Sequence, residues 1–136
     1  MLRLTYWMML LLFGGAVLFT GCDKDDDDHN DHNHIEITIL SPGDNETVSD
    51  PANVKIHIKF EADDELHDIE IKLHPENDAS NLIIDFDVHI HQKTYEFETT
   101  VDLSGFPAGT EFELDIDACE DENCTAKESK HIHFKI

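Results

Sequence analysis

Arginine, tryptophan and methionine are confined to the first nine residues, as Arg3, Trp7, Met1, Met8 and Met9. Without arginine elsewhere, the chain has no planar guanidinium fork for phosphate or carboxylate recognition. Without methionine it has no thioether set for Cu(I). Basic charge is scarce throughout: nine Lys+Arg stand against 31 Asp+Glu, a formal charge of −22 over 136 residues. Phosphate contacts need cationic side chains to displace counterions, so nucleic acid is not an expected partner. Glycine is also sparse, with only Gly43, Gly105 and Gly109 beyond Gly21, and no phosphate-cradling loop can be built from these. Neither Gly-x-Ser-x-Gly nor His-Glu-x-x-His occurs, and an enzyme is not expected. The length allows one domain.

The first segment, residues 1–21, joins a positive start at Arg3 to an apolar run from Leu10 to Phe19 and then to small residues. Those are the parts of a secretory signal peptide rather than of a folded domain. Phe19-Thr20-Gly21-Cys22 resembles the lipobox of bacterial lipoproteins. The resemblance implies removal of the signal and lipidation of Cys22, where several acyl chains at roughly 0.8 kcal/mol per buried methylene make a stable anchor. An uncleaved membrane helix over residues 4–21 is the alternative. Lys24-Asp25-Asp26 is similar to the export signal that sends Gram-negative lipoproteins to the outer face of the outer membrane. Asp23, directly after the Cys, is similar to an inner-membrane retention signal. Taken jointly, Lys24 and the acidic run favour the cell surface, with a periplasm-facing anchor as the alternative.

Residues 22–34 hold only Asp, His, Asn and Lys after the Cys, a linker that buries nothing and cannot repay its ordering entropy. The domain begins at Ile35 and runs to Ile136. Apolar residues then alternate with polar ones, the period of half-buried strands. The runs are Ile35 to Ile39, Val54 to Phe60, Ile69 to Leu73, Phe86 to Ile90, Tyr95 to Leu103, Phe112 to Ala118 and Ile132 to Ile136. Turn chemistry separates several of them, as in Ser41-Pro42-Gly43-Asp44-Asn45 and Gly105-Phe106-Pro107-Ala108-Gly109. Seven short strands with one apolar face each predict an all-β, immunoglobulin-like antiparallel sandwich, because two such sheets must cover each other. Asp102 to Thr110, followed by Phe112 to Ala118, resembles the corner and following strand of bacterial immunoglobulin-like and fibronectin-III-like modules. Lipoprotein families of unknown function share this layout of a lipobox and one such domain. All the strand aromatics have inward parity and Phe106 is placed to plug the corner, which leaves no aromatic platform for sugar.

With Cys22 assigned to lipid, Cys119 and Cys124 remain, and an oxidising compartment predicts a disulfide. Such a bridge would contribute about 2 kcal/mol. Cys119 shares the parity of Asp115 and Asp117 while Cys124 shares that of inward Ile132, so an irregularity is predicted between Cys124 and His131. Histidine is the unusual residue, at ten copies. His89 and His91 flank Ile90, and a His-x-His pair on a strand sends both rings to one face about 7 Å apart along the backbone. His29, His32 and His34 lie in the linker. An up-and-down trace gathers these five at one end with Asp63, Asp64, Asp117, Glu120 and Asp121 as auxiliary acids. Imidazoles mixed with carboxylates suit Zn(II), Cu(II) or Ni(II), ahead of Ca(II), for which no Asp-x-Asp-x-Asp-Gly loop is present.

The function expected from these residues is a surface-anchored binding or accessory domain that captures a divalent transition metal. The alternative is a structural or adhesive module that recognises an envelope or extracellular protein through an edge strand and holds no metal.

Overall fold

The computed structural model describes residues 33–136. The signal segment, Cys22, His29 and His32 lie outside the described residues. The fold is all-β: β1 (Ile35–Ser41), β2 (Glu46–Thr47), β3 (Val54–Pro75), β4 (Ile84–Val101), β5 (Glu111–Cys119) and β6 (Lys127–Lys135), with a single 3-10 turn at Pro51–Asn53. They form one six-stranded sheet in the order β1-β3-β5-β6-β2, with β4 paired to β3. The sheet is mixed, because β2 runs parallel to β6 while the other pairs are antiparallel. It curls into a half-barrel.

The seven separate strands expected from the alternation are not what forms. The runs at Val54 and Ile69 are both part of β3, and those at Phe86 and Tyr95 are both part of β4. The reason is the chemistry between the runs. Residues 61–68 and 91–94 contain neither Gly nor Pro, so the chain has no residue suited to reversing direction there. It bends through bulges instead. Ala62 to Glu65 of β3 stand opposite Lys93 alone, and His67 stands opposite Ile90 and His91 together. Bulges of this kind increase twist and redirect the strand without breaking the ladder.

Beyond the bend the pairing partners change. The first half of β3 pairs with β1 and with Thr94 to Val101 of β4, whereas Ile69 to Leu73 pair with Ile84 to Val88 of β4 and with β5. The Phe86 to Ile90 run therefore lies beside the β3–β5–β6 half. A single buried cluster fills the concave side, including Ile56, Ile58 and Phe60 from one half and Ile71, Phe112 and Leu114 from the other. Phe86 meets Phe97 with ring centroids 4.7 Å apart, and Phe112 stacks on Phe134 at 5.5 Å. Phe106 packs edge-on against Phe112 at 5.1 Å, in the corner position predicted for it.

Cys119 and Cys124 are disulfide-bonded, with Cα atoms 4.9 Å apart. The predicted irregularity is confined to the start of the interval. Cys124 takes a φ of 50°, while from Lys127 onward β6 pairs in unbroken register with β5.

Candidate metal centre

His89 and His91 stand on the bend of β4, and the sheet brings their rings closer than the backbone spacing alone would. Their Nε2 atoms are 3.1 Å apart. Two nitrogens each 2.0–2.1 Å from one tetrahedral Zn(II) lie roughly 3.3 Å apart, so the pair is already at ligand spacing. Each ring has a carboxylate behind it. His89 Nδ1 is 2.7 Å from Asp68 Oδ1, and His91 Nδ1 is 3.6 Å from Glu65 Oε2. A carboxylate only accepts, so the first contact places a proton on His89 Nδ1 and turns Nε2 toward His91. His91 is turned the same way toward Glu65, and the two Nε2 atoms converge on one point that a cation or a shared proton would join. Carboxylates behind metal-binding imidazoles orient the ring and raise its basicity in this manner. Both side chains are about half exposed, 53% and 47%, and a metal ion has open access. His67 lies edge-on to His91 with centroids 5.2 Å apart.

The other expected residues separate into those near this bend and those engaged elsewhere. Asn33 ties the chain's entry to the bend: its amide donates to the carbonyls of Glu65 and Glu120, and its Oδ1 accepts from Asp64 N at 2.9 Å. Asp63 N donates to the His34 carbonyl at 3.0 Å, and Lys93 Nζ donates to Asp63 O at 2.6 Å. Asp63, Asp64 and Glu120 are thus engaged near the bend through their backbones. The His34 side chain belongs to no three-residue ligand cluster among the described residues.

Asp117 and Asp121 have partners of their own away from the two rings. Asp117 lies on the outer face, 2.6 Å from Lys127 Nζ and 2.5 Å from Ser129 Oγ. Burial pushes its carboxyl up, but those hydrogen bonds outweigh burial and hold it below the usual range. Asp121 organises the β5–β6 turn, accepting from Thr125 Oγ1 at 2.7 Å and from the backbone N–H groups of Asn123, Thr125 and Ala126. These bonds, led by the Thr125 hydroxyl, pull its carboxyl down to about 2. A carboxylate depressed on folding contributes stability in full above its unfolded value of 3.8, and loses it as pH falls through the folded value. Asp121→Asn is therefore expected to lower the chemical-denaturation midpoint at neutral pH and to flatten its dependence on pH between about 4 and 2. An unchanged slope in that window would remove this role.

Two further groups escaped the sequence reading. In His57, Glu96 and Glu98, and again in His74, Glu113 and Asp115, ligand atoms lie within 4.8 Å of one another. Both are cross-strand sets on outward positions of β3 and its neighbours, and the alternation marks the faces without revealing which residues stand opposite. His57 Nε2 is 2.5 Å from Glu96 Oε1, and Lys55 holds Glu98 at 3.0 Å. His74 is the one buried polar side chain among the described residues. Burial lowers its pKa, but the Pro75 carbonyl and the Asp115 and Glu113 carboxylates outweigh that and raise it.

No family model matches the chain, and no curated protein matches it. Among solved structures it is similar to the crystal structure of wild-type OgpA from Akkermansia muciniphila, at 14% identity and a TM-score of 0.47. The match covers 75% of this chain and 27% of that one, so this chain spans about a quarter of the length of its structural neighbour.

Proposed function

We propose that the protein is a lipid-anchored surface module of immunoglobulin-like build that binds a divalent transition metal at the bend of β4, and that it works by binding rather than catalysis. The observation that carries the reading is the 3.1 Å approach of His89 and His91 Nε2 with Asp68 and Glu65 behind the two rings. Two imidazoles with water in the remaining positions suit Zn(II), Cu(II) or Ni(II). The immunoglobulin-like reading is supported by the change of partners along β3, which pairs with β1 and β4 on one side of the bend and with β4 and β5 beyond it, while β6 continues from β5. The lipobox-like Phe19 to Cys22 supports the anchor, and Lys24 with the acidic run supports the outer membrane surface.

The test is calorimetric titration of the full chain in detergent with Zn(II) at neutral pH. Binding heat that a chelator reverses supports the reading, and no heat ends it. Proteolysis of intact cells checks the address, with loss of the chain expected at the surface and protection if it faces the periplasm.

One observation favours the adhesive alternative. β4 pairs on one side only among the described residues, and an 18-residue edge can take a partner strand. A stoichiometric envelope protein captured in the presence of chelator would favour that class.

A further inference from the structure

The outward face of β3 and β5 carries a second cluster that the bend does not use. His74 is only 6% exposed, at a position whose parity is polar. Its Nδ1 lies 3.0 Å from the Pro75 carbonyl oxygen, which can only accept, so that nitrogen carries the proton and the ring is fixed. Nε2 is left facing Asp115 Oδ2 at 3.1 Å. A bare imidazole nitrogen opposite a carboxylate is repulsive unless a metal ion joins them or a second proton sits on the ring. Glu113 completes the set, since one atom from each of the three residues lies within 4.8 Å of the others. The register explains the convergence: His74 stands opposite Glu113, and Lys72 opposite Asp115, so the two acids are neighbours on one face of β5.

Charge separates this set from His57, Glu96 and Glu98. There Lys55 already pairs with Glu98, and Lys55 and Lys59 both act on Glu96. Among the described residues no lysine forms an ion pair with Glu113 or Asp115, and His74 makes the ion-pair contact to Asp115, while Lys72 and His131 stand opposite Asp115 and His133 opposite Glu113 in the ladder. Of the three residues only Asp115 borders a depression of about 260 Å³, whose lining mixes Glu70, Asp117, Ser129 and His131 with Lys72 and Lys130.

We infer that His74, Glu113 and Asp115 form a second divalent-cation site, with one imidazole nitrogen, two carboxylate oxygens and the remaining positions open to water. The donor set is richer in oxygen than the bend and suits Zn(II) or Mn(II). All three ligands project from paired strands rather than loops, which fixes their spacing. The Pro75 carbonyl supplies the hydrogen bond that holds the imidazole in its metal-binding tautomer.

The experiment uses Zn(II) as the probe and the full chain in detergent, read by side-chain histidine nitrogen NMR. In a His89→Ala, His91→Ala background the two ligands at the bend are removed, and the expected result is a zinc-dependent shift of His74 Nε2 with Nδ1 still protonated. Adding Glu113→Gln and Asp115→Asn, near-isosteric changes that spare the buried ring, should weaken that response by more than about 100-fold, beyond the effect of losing a ligand's hydrogen-bond partner alone. A His74 ring that keeps both protons in excess zinc would overturn the site, as would a shift that survives the two amide substitutions. Either result leaves the proposal for the bend standing, which fails only if zinc does not bind His89 and His91 in the unaltered chain.

Discussion

Replacing His89 and His91 together by alanine is expected to abolish zinc binding at the bend of β4 while leaving the fold intact. Both side chains are about half exposed and contribute nothing to the buried cluster, so stability should change by no more than about 0.5 kcal/mol. The loss of affinity is complete for this site because no other donor converges on the same point: His89 and His91 belong to no three-residue ligand cluster among the described residues. A graded companion is Asp68→Asn. It keeps the shape of the 2.7 Å contact to His89 Nδ1 but removes the charge, and should weaken zinc by about 10–100-fold. Calorimetry on the three proteins checks the series. Equal binding by the double variant and the unaltered chain would place the metal elsewhere.

Phe112→Ala is expected to be the most damaging single change, at about 3–5 kcal/mol. The ring is fully buried, stacked on Phe134 at 5.5 Å and met edge-on by Phe106 at 5.1 Å. Three rings sharing one contact cannot collapse into the space left by the middle one, because Phe134 is held by its strand and Phe106 by the turn. Small domains have stabilities of only about 5–15 kcal/mol. A shift of this size should bring the thermal midpoint close to physiological temperature, as followed by circular dichroism. Phe106→Leu, at the partly exposed edge of the same cluster, should cost much less. A midpoint for Phe112→Ala within a few degrees of the unaltered chain would show that the core closes around the gap.

The all-β character, the inward-facing aromatics and the His89–His91 pair were legible because each depends only on period-two alternation. The continuity of the strands was written less visibly. Buried positions in β3 are even-numbered from Val54 to Leu66 and odd-numbered from Ile69 to Leu73, and in β4 the inward set changes parity between Ile90 and Tyr95. Such a change reads equally as a strand ending or as a bulge. The absence of Gly and Pro in those intervals was the available clue for the second. Asp68 was missed for the same reason, since the bulge at His67 decides that its carboxylate lies behind His89. β2 could not be foreseen, because two residues paired in parallel leave no periodic trace. His57 and His74 depend on which outward residues stand side by side, and cross-strand register is a property of the folded sheet.

The bend of β3 and β4 bears on how the two imidazoles are held. A ligand pair carried on a loop would sample many separations and lose that freedom when an ion arrived. Here the separation is set by the curvature of an unbroken ladder, so the entropy of ordering has been met once, during folding. The same coupling works in reverse. Any substitution along either long strand that relaxes the arch, however far from His89, changes the gap between the two nitrogens and alters how well the ion is held.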